Sequence, residues 1–270
     1  QVAALSSTQL RALNSDQLNA IESADLQALT SAQLQSLMTS QVATLSSDQL
    51  VNLTTSQVRA LTSTQLRALN SDQLNALESN DLQALTSGQL VGLTSAQMGG
   101  LSTDQLSLLT SSQVRALNSA QIASLSTDQV PQLTTQQVAA LTTTQMQSLG
   151  TDQLNALEAA DLQALNSAQL RSLTTSQVAG LSSDQIQNLT TSQVAKLGSD
   201  QLRTLTSDQL NALESRDLQV LSSAQLPTLA TVQVNNLSTD QIQNLTTSQM
   251  TMLTSDQLRS LGSDQLNAIE

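Results

Sequence analysis

Phenylalanine, tryptophan, tyrosine, histidine and cysteine are all absent from the 270 residues. Aromatic side chains supply the largest buried areas in most cores. The 39% apolar content here therefore comes from Leu, Val, Ile, Ala and five Met, packed in a thin interior without a wide, deep pocket. Without cysteine and histidine there are no disulfides, no thiol nucleophile, no nitrogen or sulfur ligands for zinc, and no acid–base group that titrates near neutral pH. Zero cysteine suits a cytosolic and an extracellular array equally. Basic residues are scarce: nine Lys plus Arg against twenty-one Asp plus Glu give a net charge of −12, which opposes nucleic acid and anionic membranes as partners. No apolar run approaches the length of a membrane span, so no membrane insertion is expected. The opening QVAALSST has neither Met nor a signal-peptide layout and reads as excised from something longer. Two prolines and eight glycines leave little conventional turn chemistry.

What the chain has instead is one motif, repeated about thirty-four times without a slip. Stepping by eight from Leu5, position one is Leu or Ile as far as Ile269. Position six, from Val2 and Leu10 to Leu266, is Leu, Val, Ile or Met. Position five is Gln except at Asp25, Asp81, Asp161 and Asp217. Position two followed three residues later by Gln, as in Thr62 and Gln65, is a capping box, and Leu61 and Leu66 occupy the two staple positions that fix the entry of the chain. Charge supports the same frame, because short helices favour acids in the first turn and bases in the last. All acids lie at positions two, four or five; the bases lie at seven or eight, with Arg216 the one exception.

Rival structures fail on geometry. In a continuous helix eight residues overshoot two turns by about 80°, so the apolar stripe would spiral around the axis. Under period-two alternation positions one and six would face opposite sides of a strand. Two fixed apolar positions per octad are not a random polar tract. The fold class is therefore all-α: a solenoid or superhelix of very short helices, one per eight-residue repeat, with undetermined handedness. Two buried side chains cannot offset the ordering of eight residues, so stability must come from contacts between successive coils. Pro131 and Pro227 fall at position seven, where proline removes a helical hydrogen bond, and those octads are expected to form single turns only. Position three is Ser or Thr in every octad but that of Ala159, as a second cap or as an inter-coil hydrogen bond. Position eight is mostly small and would let coils approach closely.

A longer period overlies the octads. The segment from Gln1 returns at Gln57, and near-copies begin at Gln137, Gln193 and Gln249. The chain divides into long repeats 1–56, 57–112, 137–192, 193–248 and a partial 249–270, with three extra octads at 113–136, all within one continuous array over 1–270. A whole number of superhelical turns per long repeat would explain the period.

Each long repeat carries one unusual octad: Glu22/Asp25, Glu78/Asp81, Glu158/Asp161 or Glu214/Asp217, with Asp16, Asp72, Asp152 or Asp208 six residues before the Glu. Three neighbouring carboxylates suit Ca²⁺, but no EF-hand loop is present and first-turn acids have an electrostatic explanation of their own. No catalytic, cofactor-binding or metal-ligating residue is assigned on this basis, and whether those pairs bind Ca²⁺ stays open. Glycosidase chemistry is disfavoured because the acid pairs recur without aromatic platforms. Nucleophilic catalysis lacks a base and a Gly-x-Ser-x-Gly elbow, so no enzyme activity is expected. The Ser and Thr rows invite an ice-binding reading, but helix capping accounts for them. The Gln row reads as capping and solvation, and Gly99-Gly100 as a local weak point.

The L-[TS]-[TS]-x-Q-[LVI]-x-[AS] octads resemble the repeat tracts of very large bacterial surface exoproteins often labelled heme-utilisation or adhesion proteins. That resemblance implies a secreted or cell-surface fibrous role, with the repeats as stalk or adhesive body. Heme binding finds no support in residues that lack His, Cys and Tyr. The expected function is a structural or adhesive repeat segment forming an extended, acidic superhelical rod or filament outside the cell. The expected partner is the chain itself, through end-to-end continuation, since no polar capping octad closes either end; a cell-surface or glycan partner is left open. The alternative is a ligand-binding solenoid that recognises a peptide or glycan, although the variable positions four and seven carry no aromatic anchor.

Overall fold

A computed structural model of the chain describes residues 1–269. Among them thirty-one α-helices of four to six residues and three 3₁₀ turns follow one another, one element per octad. The contacts divide the chain into two compact units, Gln1–Ala140 and Leu141–Glu270, each a coil of the same construction.

The octad from Leu29 shows how the sequence makes the element. Thr30 adopts an extended conformation (φ −70°, ψ 156°), and its hydroxyl accepts the Gln33 N–H at 3.3 Å. The Gln33 side-chain oxygen accepts the Thr30 N–H at 2.8 Å, closing the box. The helix Ser31–Ser36 then runs until Leu37 turns extended (φ −60°, ψ 141°), and Met38 is extended as well. Two extended residues between one short helix and the next re-aim the chain. No described residue has a positive φ, so the coil turns without the left-handed conformations that would demand glycine.

Positions one and six form the core of both units. From Leu10 to Ile242 position six is 0–1% exposed, and from Leu29 to Leu237 position one is 2–5% exposed. The prolines act as their position requires: Val130–Gln132 and Leu226–Thr228 are 3₁₀ turns where other octads form α-helix, while Val130 and Leu226 remain fully buried.

Contacts between successive coils centre on a spacing of 28 residues. Gln57 reaches back 28 and 31 residues, and Gln27 reaches forward 25. One superhelical turn is thus three and a half octads, and the 56-residue repeat is two turns within each unit. The half-octad stagger sets the start of each helix over the junction between two octads in the turn before. Gly99-Gly100 has a steric reason in the fold. It is a place of close approach: a Cβ on Gly99 would lie 2.8 Å from the Ser124 carbonyl oxygen, and one on Gly100 2.5 Å from the Ser71 hydroxyl.

Candidate functional site: a buried glutamine ladder

The half-octad stagger gives position five its role. A helix end leaves carbonyls without intrahelical partners, and in a helix this short those ends are most of the element. The Gln57 amide oxygen accepts the Thr54 N–H at 2.9 Å, and its amide nitrogen donates to the carbonyls of Leu26 and Leu29, both at 2.9 Å. A single side chain therefore caps the start of its own helix and the end of a helix in the preceding turn. Gln97 bonds Leu66 and Leu69 in the same way, and in the second unit Gln177 bonds Met146 and Leu149, and Gln241 bonds Leu210 and Leu213.

These glutamines are buried from Gln33 to Gln265, which corrects the expectation that the row serves capping and solvation. Capping holds; solvation does not, because the amide nitrogen faces the neighbouring coil. A carboxylate cannot donate and an asparagine is one carbon shorter, so only glutamine serves both coils. Where the cap residue has no side-chain acceptor, the other half of the box persists: Gly150, Gly198 and Ala230 still donate their backbone N–H to Gln153, Gln201 and Gln233. The sequence carried this signal. Position five is stricter than position two, which capping alone does not explain.

An outer row supplements the ladder. Position-seven amides donate forward to position-eight carbonyls, as Gln35 does to Ala60 and Asn155 to Gly180, each at 2.8 Å. Position three contributes inter-coil bonds, not a second cap: Ser63 donates to the Gly88 carbonyl at 3.2 Å, and Ser207 accepts from Asn236 at 2.7 Å.

The four acidic octads interrupt the ladder. Asp81, Asp161 and Asp217 are buried, whereas Asp25, in the first turn, is exposed. Asp217 keeps the box by accepting the Glu214 N–H at 3.3 Å, and its other oxygen accepts the Thr191 hydroxyl at 2.7 Å. Among the described residues no glutamine donates to the carbonyls it would reach from these positions, those of Leu53 before Asp81 and Leu189 before Asp217. Glu22, Glu78, Glu158 and Glu214 are exposed, as are Asp16, Asp72, Asp152 and Asp208, and among the described residues no group of three or more acids is placed to hold a metal ion. Arg216, the base out of place in the charge pattern, pairs with Glu214 at 2.8 Å, an exposed bridge of small energetic weight.

The Thr191 bond makes a test of the acidic octads. Thr191→Val keeps the shape and removes the donor to a buried carboxylate, and is expected to lower stability by about 1–3 kcal/mol. Chemical denaturation reads the change; an unchanged midpoint would mean that the Asp217 oxygen is satisfied some other way.

Two of the clefts are lined mainly by polar residues. One of about 520 Å³ is lined by Asn75, Glu78, Asn80 and Asp104, and one of about 530 Å³ by Gln163, Asn188, Glu214 and Arg216. The first sets two acids among amides, and the second sets the Glu214–Arg216 pair among amides. Among the described residues no helix is long and apolar enough to cross a membrane.

No curated protein matches the chain. The ALTTAQ repeat model matches residues 18–55, 50–78, 74–111, 106–135, 154–191, 186–215 and 210–247. Ala28-Leu29-Thr30-Ser31-Ala32-Gln33 shows what those six letters mean physically: the small residue that lets coils approach, the core leucine, the cap, two first-turn residues and the ladder glutamine. With more than half of its length matched in this way, the chain belongs to the ALTTAQ repeat family.

Proposed function

We propose that this repeat segment is architectural and non-catalytic, a spacer or adhesive body displayed at the cell surface or outside the cell. The observation that carries the reading is the repetition of one bonding scheme. Nearly every octad spends its most constrained polar side chain on the adjacent coil, so added octads add length without adding a new site. Such an array distributes stability over nearest-neighbour interfaces, which suits a part whose job is reach. The acidic surface keeps it soluble and resists collapse onto anionic surfaces. The resemblance to bacterial surface exoproteins supports the location.

Two measurements test the two halves. Variants with one, two or three 56-residue blocks are expected to increase in maximum dimension by a constant step in small-angle scattering; a dimension independent of block number would overturn the spacer role. Antibody against the chain is expected to label intact source cells, and labelling only after permeabilisation would overturn the surface location.

A further inference from the structure

Asp81 breaks the bonding scheme in a way that Asp217 does not. Its residue is 3% exposed, yet its carboxylate has no hydrogen-bond partner: Glu78 makes no side-chain cap bond, and the box between the two stays open. Position-five side chains meet the coil 28 residues earlier, and the helix Ser79–Ala84 packs on Thr55–Ala60. At that register stand buried Leu53, whose carbonyl receives no donor, and Thr55, which precedes Asp81 by the same twenty-six residues that separate Thr191 from Asp217. Carboxylate, carbonyl and hydroxyl oxygens thus share the place where the ladder elsewhere sets an amide nitrogen. Buried charge of this kind is normally paired or held by a metal ion. Among the described residues no fully buried side-chain oxygen lacks a partner, so the Asp81 oxygens keep a narrow contact with solvent, a path for an ion.

Asp217 is satisfied from within the chain. Its oxygens accept the Glu214 N–H and the Thr191 hydroxyl, and Arg216 brings positive charge to Glu214. Asn80 stands where Arg216 stands, so the Asp81 octad has no base of its own. Glu78 also lines a cleft of about 520 Å³ with Asp104, and no base is among the lining residues.

We propose that Asp81 holds a Ca²⁺ ion together with the Leu53 carbonyl and the Thr55 hydroxyl, with the exposed carboxylate of Glu78 and water completing the shell. Ca²⁺ accepts such mixed oxygen sets in flexible geometry, whereas Mg²⁺ demands a near-ideal octahedron. The ion joins position five to the preceding coil, as the Gln57 amide nitrogen does at Leu29. This site needs no group of three acids, and it is independent of where the chain resides.

Isothermal titration of the full chain with CaCl₂, at physiological ionic strength, tests the assignment. The unmodified chain is expected to bind with measurable heat. Asp81→Gln sets a ladder glutamine in the gap and is expected to bind one equivalent fewer with unchanged helical circular dichroism, whereas Asp217→Gln is expected to keep every equivalent. Hydrogen exchange on the unmodified chain locates the ion: the amides of Leu53–Thr55 and Glu78–Leu82 are expected to slow with Ca²⁺ and not with Mg²⁺. No heat, an undiminished stoichiometry in Asp81→Gln, a lost equivalent in Asp217→Gln, or exchange that ignores Ca²⁺ or responds equally to Mg²⁺ would each overturn the proposal.

Discussion

Gln57→Glu is expected to destabilise the first unit by roughly 3–5 kcal/mol near neutral pH and to lose much of that penalty in acid. The substitution keeps the size and leaves the carboxylate able to accept the Thr54 N–H, as the amide does now at 2.9 Å. It removes both donations to Leu26 and Leu29 and sets negative oxygen against two buried carbonyl oxygens. Burial and the facing acceptors both favour the protonated form, so the carboxyl of the variant titrates above the usual range in the folded state. Stability is then retained below the unfolded carboxyl range of about 4.3 and is lost as pH rises through the elevated folded value. The difference in denaturation midpoint from the unmodified chain, measured across this window, reads the effect. Gln9→Glu is the control: Gln9 forms the same box with Ser6 but is exposed in the first turn, so its change should be small. Equal shifts for the two substitutions would show that the ladder contributes no more than the caps.

Deleting the four residues Leu61–Thr64 is expected to disrupt the coil around the cut, whereas deleting the eight residues Leu61–Ala68 is expected to leave it folded. After the eight-residue cut Gln73 takes the place of Gln65, whose amide reaches the carbonyls of Leu34 and Leu37, and the position-one carbonyl it meets there matches that of Leu45 in its own native contact. The native chain already accommodates whole octads in this way at 113–136. After the four-residue cut the same side chain falls over Met38 and Gln41, positions two and five, where the Met38 carbonyl is already engaged within its own helix. Every octad that faces across the cut for one full turn is misplaced likewise, and position-six leucines meet polar faces. The loss is on the order of 5 kcal/mol or more, from several unsatisfied buried groups together with lost apolar burial. Helical circular dichroism and limited proteolysis distinguish the two deletions; similar profiles would mean that the octad frame does not dictate inter-coil register.

The acidic octads mark the boundary of what local pattern conveys. Glu214, Asp217 and Asp208 are near neighbours in the chain and read as a carboxylate group. The fold buries Asp217 against Thr191, twenty-six residues earlier, and leaves Glu214 and Asp208 outside. Sequence spacing gave the cap positions because capping is decided within four residues. Which hydroxyl meets which carboxylate depends on the length of the superhelical turn, which no single octad contains.

By itself the sequence determined the helix start at every position two, the core at positions one and six, the shortened turns at Pro131 and Pro227, and the exclusion of aromatic platforms and of His and Cys chemistry. The exclusions follow from composition and the rest from local backbone chemistry or the burial preference of one side chain, and Thr30, Gln33, Leu34 and Leu37 suffice to show the helix start and the core. Only the tertiary structure decided that a turn takes 28 residues, that the 56-residue repeat is two turns, and that the glutamines face inward between coils. The physical reason is that turn length is set by how neighbouring coils satisfy one another's free helix ends. One octad supplies the glutamine donor, but the carbonyls that receive it belong to octads more than three repeats away.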